Sequence, residues 1–172
     1  ILAIGMERIL KRNALVRKLV AAETLGSVSV ICTDKTGTLT EGSMQVIEII
    51  TLGEHLNATA LPLLAAATYE QHEAVINALQ IGSLCNDAVL DQSAEQNGSG
   101  YIGDTTDIAL ARAAAKAGLN KEALSQVLLR KAEIPFDSRR KYMATLHHLN
   151  DKAYIYIKGA PEVVLSRSRY IE

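Results

Sequence analysis

A chain of 172 residues is long enough for one domain of ordinary size, or for one domain with a piece of another. With 48% hydrophobic and 22% charged residues it can bury a core, which excludes an intrinsically disordered chain. Its 18 basic and 19 acidic residues nearly cancel, which argues against a nucleic-acid binder. No apolar run approaches the roughly 18 to 20 residues of a membrane helix.

The first part of the chain predicts one helix followed by two strands. Apolar residues at near-helical spacing predict a helix over residues 1–25, with a basic, solvent-exposed face. Val28–Cys32 is a short apolar run, which predicts a buried strand. A turn-rich stretch over 35–43 follows, and residues 45–52 predict a second strand that ends in a turn at 53–55.

The rest of the chain predicts helices around one hairpin. Residues 57–84 predict two helices with a break near 70–73, and residues 91–103 predict a polar, glycine-rich loop. Capping and turn residues predict the remaining elements, which are a helix over 105–117 between Asp104 and Gly118, a helix from Asn120 to Val127, a hairpin of strands 142–149 and 153–158, and a final helix that begins at Pro161.

The segment CTDKTGTLT, residues 32–40, concentrates the side chains that point to chemistry. The strand predicted before it would bring Asp34 to the carboxyl end of an open α/β sheet, where such sheets bind ligands. Gly37 permits a sharp turn, so backbone N–H groups and the hydroxyls of Thr36 and Thr38 can surround an anion. A carboxylate beside such donors can attack a phosphoryl group and form an aspartyl phosphate. A threonine-rich turn without chemistry is the alternative that these residues leave open.

Five segments of the sequence resemble one known family. DKTGTLT, residues 34–40, resembles the phosphorylation motif of P-type ion-pumping ATPases. Four further segments resemble that family in the right order: ALVRKLVAAETLGS at 14–27, GDTTDIAL at 103–110, PFDSRRKYM at 135–143 and KGAPE at 158–162. In GDTTDIAL a threonine stands where proline is usual in the family. The first and the last two of these four segments favour the type II pumps, which carry calcium or sodium, over heavy-metal pumps.

The resemblance implies an α/β fold made of parts of two domains. An antiparallel sheet flanked by helices, the nucleotide-binding domain, would follow the first strand of a Rossmann-like phosphorylation domain of the haloacid-dehalogenase (HAD) type. Residues 1–26 would be the cytoplasmic end of the fourth membrane helix and its stalk, where basic residues are expected. Residues 27–44 would begin the phosphorylation domain, and residues 45–172 would form a C-terminally truncated nucleotide-binding domain.

For the phosphorylation site, the resemblance implies that Asp34 is the nucleophile and one ligand of Mg²⁺. Thr36 would supply a backbone carbonyl to Mg²⁺, and Thr36 and Thr38 would hold the γ-phosphate of ATP. Lys35 would steady the phosphorylation site. Mg²⁺ would neutralise the charge of the transferring group.

For the nucleotide pocket, the resemblance implies that Phe136 stacks on adenine, which a flat aromatic face suits. Asp107 would contact the adenine side of the nucleotide. Lys141 and Lys158 would place positive charge near the base and phosphates, and Gly159 would allow close approach of the backbone. Core packing is the alternative for Phe136, the only Phe of the chain, and a solvated surface position is the alternative for each lysine.

Two other functions remain open beside the pump. HAD phosphatases share this nucleophile and fold, but they usually carry a second Asp two residues after the first, where this chain has Thr36. A hydroxyl cannot easily activate water, so the acyl phosphate should live longer, as the slow conformational change of a pump requires. The third function is a nucleotide-binding module without chemistry.

The expected partners follow from the pump interpretation. They are ATP, Mg²⁺, the rest of the pump polypeptide, and a cation, with calcium favoured, that binds in a membrane domain outside this chain; no nucleic acid is expected. The sequence ends shortly after KGAPE, before the family's later Mg²⁺-binding Asp. We therefore expect a fragment from the cytoplasmic side of a membrane that binds adenine nucleotide weakly at best and does not turn over.

Overall fold

The computed structural model describes residues 2–35, 37–65, 69–91 and 100–170. The chain divides into two compact units, 1–41 and 42–172. In the first unit, helix α1 spans Leu2–Leu10 and helix α2 spans Leu19–Gly26.

The prediction of one continuous helix over 1–25 is wrong because the backbone turns left-handed at Asn13, where φ is 60°. The N–H group of Asn13 bonds back to the carbonyl of Leu10 at 2.9 Å, which closes α1. Asn adopts this conformation more readily than most residues, because its short polar side chain can form local hydrogen bonds.

The prediction of a buried strand at Val28–Cys32 is also wrong. No described strand pairs with this segment, and the side chains of Val30 and Ile31 are 75% and 78% exposed. An apolar run becomes a strand only where a neighbouring strand takes up its N–H and C=O groups. The described residues of this chain supply no such neighbour, so Val28–Cys32 forms no strand here.

The second unit consists of antiparallel sheets flanked by helices, which confirms the predicted α/β class. Its described strands form two hairpins, β1–β2 and β3–β4, and one three-stranded sheet in the order β5-β6-β7. The strands are β1 Glu48–Ile50, β2 His55–Asn57, β3 Val89–Leu90, β4 Tyr101–Ile102, β5 Leu129–Asp137, β6 Tyr142–Leu149 and β7 Lys152–Gly159. The helices are α3 Leu61–Leu64, α4 Glu73–Leu84, α5 Thr105–Lys116, α6 Lys121–Val127 and α7 Pro161–Arg167.

The core of the second unit lies where α3 and α4 meet α5. Its buried members are large on α3 and α4 and small on α5: Leu61, Leu64, Val75, Leu79, Ala113, Ala114 and Ala117. The alanines let α5 approach its neighbours closely. Gly82 of α4 helps in the same way, since a Cβ there would lie 3.3 Å from Leu110 Cδ2. This tight packing fixes the position of α5, whose first turn carries candidate site residues.

Four strands of the second unit, β2 to β5, were not predicted. β2 begins at His55, inside the predicted turn, and β3 lies between the predicted helix that ends at residue 84 and the predicted 91–103 loop. β4 lies inside the predicted 91–103 loop, at Tyr101–Ile102. β5, Leu129–Asp137, carries Pro135 and mostly exposed side chains, and its pairing with β6 shifts register between Ile134 and Asp137. An edge strand tolerates such a proline, but the residues of β5 do not alternate between apolar and polar, so their pattern does not predict a strand.

The predicted helix ends and hairpin are confirmed. Asp104 accepts a hydrogen bond from the N–H group of Thr106 at 2.8 Å, and Asn120 accepts one from that of Ala123 at 2.7 Å. Gly118 follows α5 with φ 82°, and Asn150, with φ 53°, turns the chain between β6 and β7. Each of these signals is local. The side chains of Asp104 and Asn120 bond to backbone N–H groups within three residues, and Gly118 and Asn150 themselves adopt a positive φ.

We predict that Gly118→Ala destabilises the chain. Alanine at this position would have to adopt the left-handed backbone conformation, which costs an L-residue roughly 1–2 kcal/mol. Its Cβ would also lie 3.0 Å from Ala65 Cβ. Urea unfolding should show a lower free energy of unfolding by at least that amount. Gly53→Ala is the control, because a Cβ at Gly53 meets nothing within 4 Å. A Gly118→Ala variant as stable as the control would contradict this account of the α5 terminus.

Candidate functional site

A cleft of about 590 Å³ lies between the first turn of α5, the β5–β6 turn and the end of β7. All five predicted nucleotide-binding residues line it: Asp107, Phe136, Lys141, Lys158 and Gly159. The remaining lining residues are Asp87, Asp104, Thr106, Met143 and Ala160. The cleft therefore combines an apolar aromatic and thioether surface with two ammonium groups and three carboxylates.

Asp107 and Lys158 form an ion pair at the back of the cleft. Their side chains are only 10% and 19% exposed, and the Lys158 ammonium donates a hydrogen bond to Asp107 Oδ1. The second carboxylate oxygen, Oδ2, accepts from the backbone N–H group of Asp87 at 2.8 Å. Both charges are largely removed from water, so each depends on the other for compensation. The pair joins α5 to β7, which are far apart in sequence.

Phe136 lies near the end of β5, is 62% exposed, and lines the cleft instead of the protein core. The alternative of core packing is therefore wrong for this residue. A large exposed aromatic side chain in a concave site provides a flat surface on which a planar ligand can stack.

The turn that follows Phe136 is held by Asp137. Its Oδ1 accepts hydrogen bonds from the N–H groups of Arg139 at 2.9 Å and Arg140 at 3.1 Å. These bonds, that of Arg140 first, lower the pKa of the Asp137 carboxyl below its usual value. Lys141 ends the turn with φ 58°, and its ammonium lies 3.4 Å from Glu162 Oε1.

Gly159 has a role inside the sheet that the sequence analysis did not foresee. A Cβ at this position would lie 2.5 Å from the carbonyl oxygen of Lys141 and 2.6 Å from Tyr142 Cβ. Any side chain would therefore push β7 away from β6, beside the cleft. The N–H group of Ala160, the next residue, bonds to that same Lys141 carbonyl at 2.9 Å.

A buried polar chain lies beneath the cleft. His147 Nδ1 is 2.9 Å from the Leu128 carbonyl, which can only accept, so Nδ1 donates. His147 Nε2 is 2.8 Å from the Thr145 hydroxyl. Burial raises the pKa of the neighbouring Cys85 thiol, although the Thr145 hydrogen bond and the Lys158 charge act to lower it. This thiol donates to the carbonyl of Met143, 3.7 Å away, and Met143 is one of the residues that line the cleft.

In the first unit, the described residues of the DKTGTLT segment are joined by hydrogen bonds of a turn. The carbonyl of Lys35 accepts from the N–H groups of Leu39 at 3.0 Å and Thr40 at 3.2 Å, and Gly37 has φ 75°. The hydroxyl of Thr40 accepts from the N–H group of Gly37 at 3.3 Å. Asp34, Lys35 and Thr38 are exposed. Sequence reasoning missed Thr40 as the residue that closes this turn.

The comparisons with known proteins identify the family. A family model described as "P-type ATPase, cytoplasmic domain N" matches residues 74–172. A calcium-transporting ATPase of Listeria monocytogenes is 37% identical over 99% of this chain, and a cation-transporting ATPase of Synechocystis is 40% identical over 96%. A calcium-transporting ATPase of Bacillus subtilis is 36% identical over 99%. The chain belongs to the P-type ATPase family.

This P-type ATPase segment spans about a fifth of the length of these relatives, from 18% to 20%. Among the helices of its described residues, none has the length and apolar character needed to cross a membrane.

The predicted phosphorylation residues are only partly covered. Thr36, with its predicted roles toward phosphate and Mg²⁺, lies outside the described residues. Among the residues that are described, no group of three or more His, Cys, Asp or Glu side chains could hold a metal ion. A Mg²⁺ ion that arrives with nucleotide needs only one or two carboxylates besides phosphates and water. The exposed carboxylate of Asp34 has the oxygen donors that suit this ion.

Several residues of the cleft were missed by the sequence analysis. Thr106 and Met143 each lie in a segment that resembles the family, but the sequence analysis assigned neither of them to the nucleotide pocket. Asp87 carried no local signal, because it meets Asp107 across 20 residues and Arg130 across 43. Arg130 forms ion pairs with Asp87, at 2.8 Å, and with Glu133, and neither Arg130 nor Glu133 lines the cleft.

Proposed function

We propose that the cleft of the second unit binds an adenine nucleotide. The observation that carries this proposal is the exposed ring of Phe136 beside two lysine ammonium groups in one concave site. The adenine would stack on Phe136 above Met143, with Asp107 on the adenine side. Lys141 and Lys158 would face the phosphates. A flat apolar surface next to fixed positive charge matches a ligand with a purine at one end and a polyanion at the other.

In this P-type ATPase we further propose that Asp34 accepts the γ-phosphate of Mg-ATP. One carboxylate oxygen of Asp34 would form a bond to the γ-phosphorus. The bond from that phosphorus to the β–γ bridging oxygen would break, and ADP would leave with the electron pair. Lys35, Thr36 and Thr38 would surround the transferring group. The ordered turn at Gly37 and Thr40 supports this, because its internal hydrogen bonds hold the backbone beside the nucleophile in one conformation.

The product would be an aspartyl phosphate that drives cation transport. Thr36 stands where HAD phosphatases usually have an acidic residue, and a hydroxyl cannot readily activate water. A slowly hydrolysed acyl phosphate suits a pump better than a phosphatase. Relatives named calcium-transporting ATPases support calcium as the cation. The chain would lie on the cytoplasmic side of a membrane, and the cation would bind in another part of the pump.

Replacement of Phe136 tests the nucleotide site. Base–aromatic stacking is worth about 1–3 kcal/mol, so Phe136→Ala should weaken ATP binding by at least about fivefold in an NMR titration. Because the ring is largely exposed, the variant should keep its fold. Tyr170→Ala is the control, since Tyr170 is 78% exposed and lies outside the cleft lining. Equal ATP affinity in the Phe136→Ala variant and wild type would refute the stacking proposal.

Replacement of Asp34 tests the phosphorylation proposal separately. In a longer pump polypeptide that contains this chain, Mg-ATP labelled at the γ-phosphate should give an acid-stable, hydroxylamine-sensitive label. Asp34→Asn should abolish that label, because an amide nitrogen is not a nucleophile of this kind. Glu41→Gln is the control, since it removes an exposed carboxylate from the same unit. A label that survives Asp34→Asn would show that another residue accepts the phosphate.

A further inference from the structure

Lys121, the first residue of α6, points its ammonium into the protein. The ammonium donates three hydrogen bonds, to Asn86 O at 3.1 Å, to Asn86 Oδ1 at 3.1 Å and to the carbonyl of Ala88. An ammonium group has three N–H donors, so this arrangement satisfies all of them. None of the three acceptors is charged, and burial lowers the pKa of Lys121, while the charges of Asp107 and Asp87 act to raise it.

The acceptors of Lys121 belong to the short segment 86–88, between α4 and β3, that holds Asp107. The carbonyl of Asn86 and the N–H group of Asp87 are the two ends of one planar peptide group. Lys121 bonds to the carbonyl end, and the N–H end donates to Asp107 Oδ2 at 2.8 Å. Because the two ends of a trans peptide point in opposite directions, fixing the carbonyl toward Lys121 aims the N–H at Asp107. The two hydrogen bonds also polarise each other.

The rest of the segment is fixed as well. The Asn86 amide donates to the carbonyls of Gly82 at 2.9 Å and Asp107 at 2.8 Å, and its Oδ1 accepts from the N–H group of Ala88. Gly103 lies on the other side, where a Cβ would come within 3.0 Å of Ala88 Cα. The segment has little room to move while Lys121 is in place.

We propose that Lys121 is a positioning residue of the nucleotide cleft. It fixes the Asn86–Asp87 peptide, this peptide holds the Asp107 carboxylate, and Asp107 holds Lys158 toward the cleft. Lys121 itself is not among the residues that line the cleft. The proposal rests on the proposed nucleotide function for its consequence, but the geometry it describes exists without nucleotide.

The test compares three variants of the 172-residue chain. Lys121→Met removes the ammonium and keeps most of the side-chain length, and Lys121→Arg keeps the charge but replaces the compact ammonium with a planar fork. Lys152→Met is the matched control, because Lys152 is exposed at the start of β7, roughly 20 Å along the strand from Lys158. Circular dichroism establishes the temperature range in which each variant is folded.

The first measurement is made without nucleotide, on the backbone amide of Asp87. In Lys121→Met its proton resonance should move upfield and its exchange with solvent should become at least about tenfold faster, because the peptide is no longer held. Lys121→Arg should give a smaller change in the same direction, and Lys152→Met should match wild type. An Asp87 amide that is unchanged in folded Lys121→Met overturns the proposal. If Lys121→Met does not fold, the same criterion applies to Lys121→Arg.

The second measurement is ATP affinity at a temperature where all variants are folded. We expect about tenfold weaker binding by Lys121→Met, by analogy with the loss on removing a residue that orients a metal ligand, and wild-type affinity for Lys152→Met. Wild-type affinity in Lys121→Met, together with an altered Asp87 amide, overturns the positioning role. If wild type itself binds no ATP, the proposed nucleotide function fails. The inference is then decided by the Asp87 amide and by whether the Lys158 ammonium resonance shifts in Lys121→Met.

Discussion

The ion pair between Asp107 and Lys158 is the interaction on which the cleft depends. It connects two residues 51 positions apart, and both side chains are largely buried. Removal of one partner from a buried pair leaves an uncompensated charge, which typically costs about 3–5 kcal/mol. The partial exposure of this pair lowers that figure. The pair therefore stabilises the approach of α5 to β7 only while both charges are present, and this approach defines the back wall of the cleft.

The other walls follow from constraints of the backbone. Gly159 lets β7 pair closely with β6 beside the Lys141 carbonyl, and Asp137 closes the turn that presents Phe136 and Lys141. The aromatic ring and both lysines are thus held by the sheet and its hydrogen-bonded turn, while Asp107 is held by helix α5. The sheet and the helix together let one site offer an apolar face and fixed charges, as an adenine nucleotide requires.

The sequence predicted best the features whose signals are local. The caps at Asp104 and Asn120 and the stop at Gly118 depend on contacts within a few residues, so their positions could be predicted from residue type. The strand at Val28–Cys32 was predicted wrongly because strand formation depends on a distant partner. β5 was missed because an edge strand with Pro135 lacks alternation. Five residues that line the cleft were found through motif resemblance, whereas Asp87 and Lys121 make their hydrogen bonds across 20 or more residues.

The central claim is that the purine of ATP stacks on Phe136. Intermolecular nuclear Overhauser effects in the 172-residue chain with excess ATP measure this contact directly, and they remain observable when binding is weak. The account predicts cross-peaks between the ring protons of adenine and those of Phe136, and none to Tyr170. Bound ATP whose adenine protons show cross-peaks only to side chains outside the cleft would contradict it.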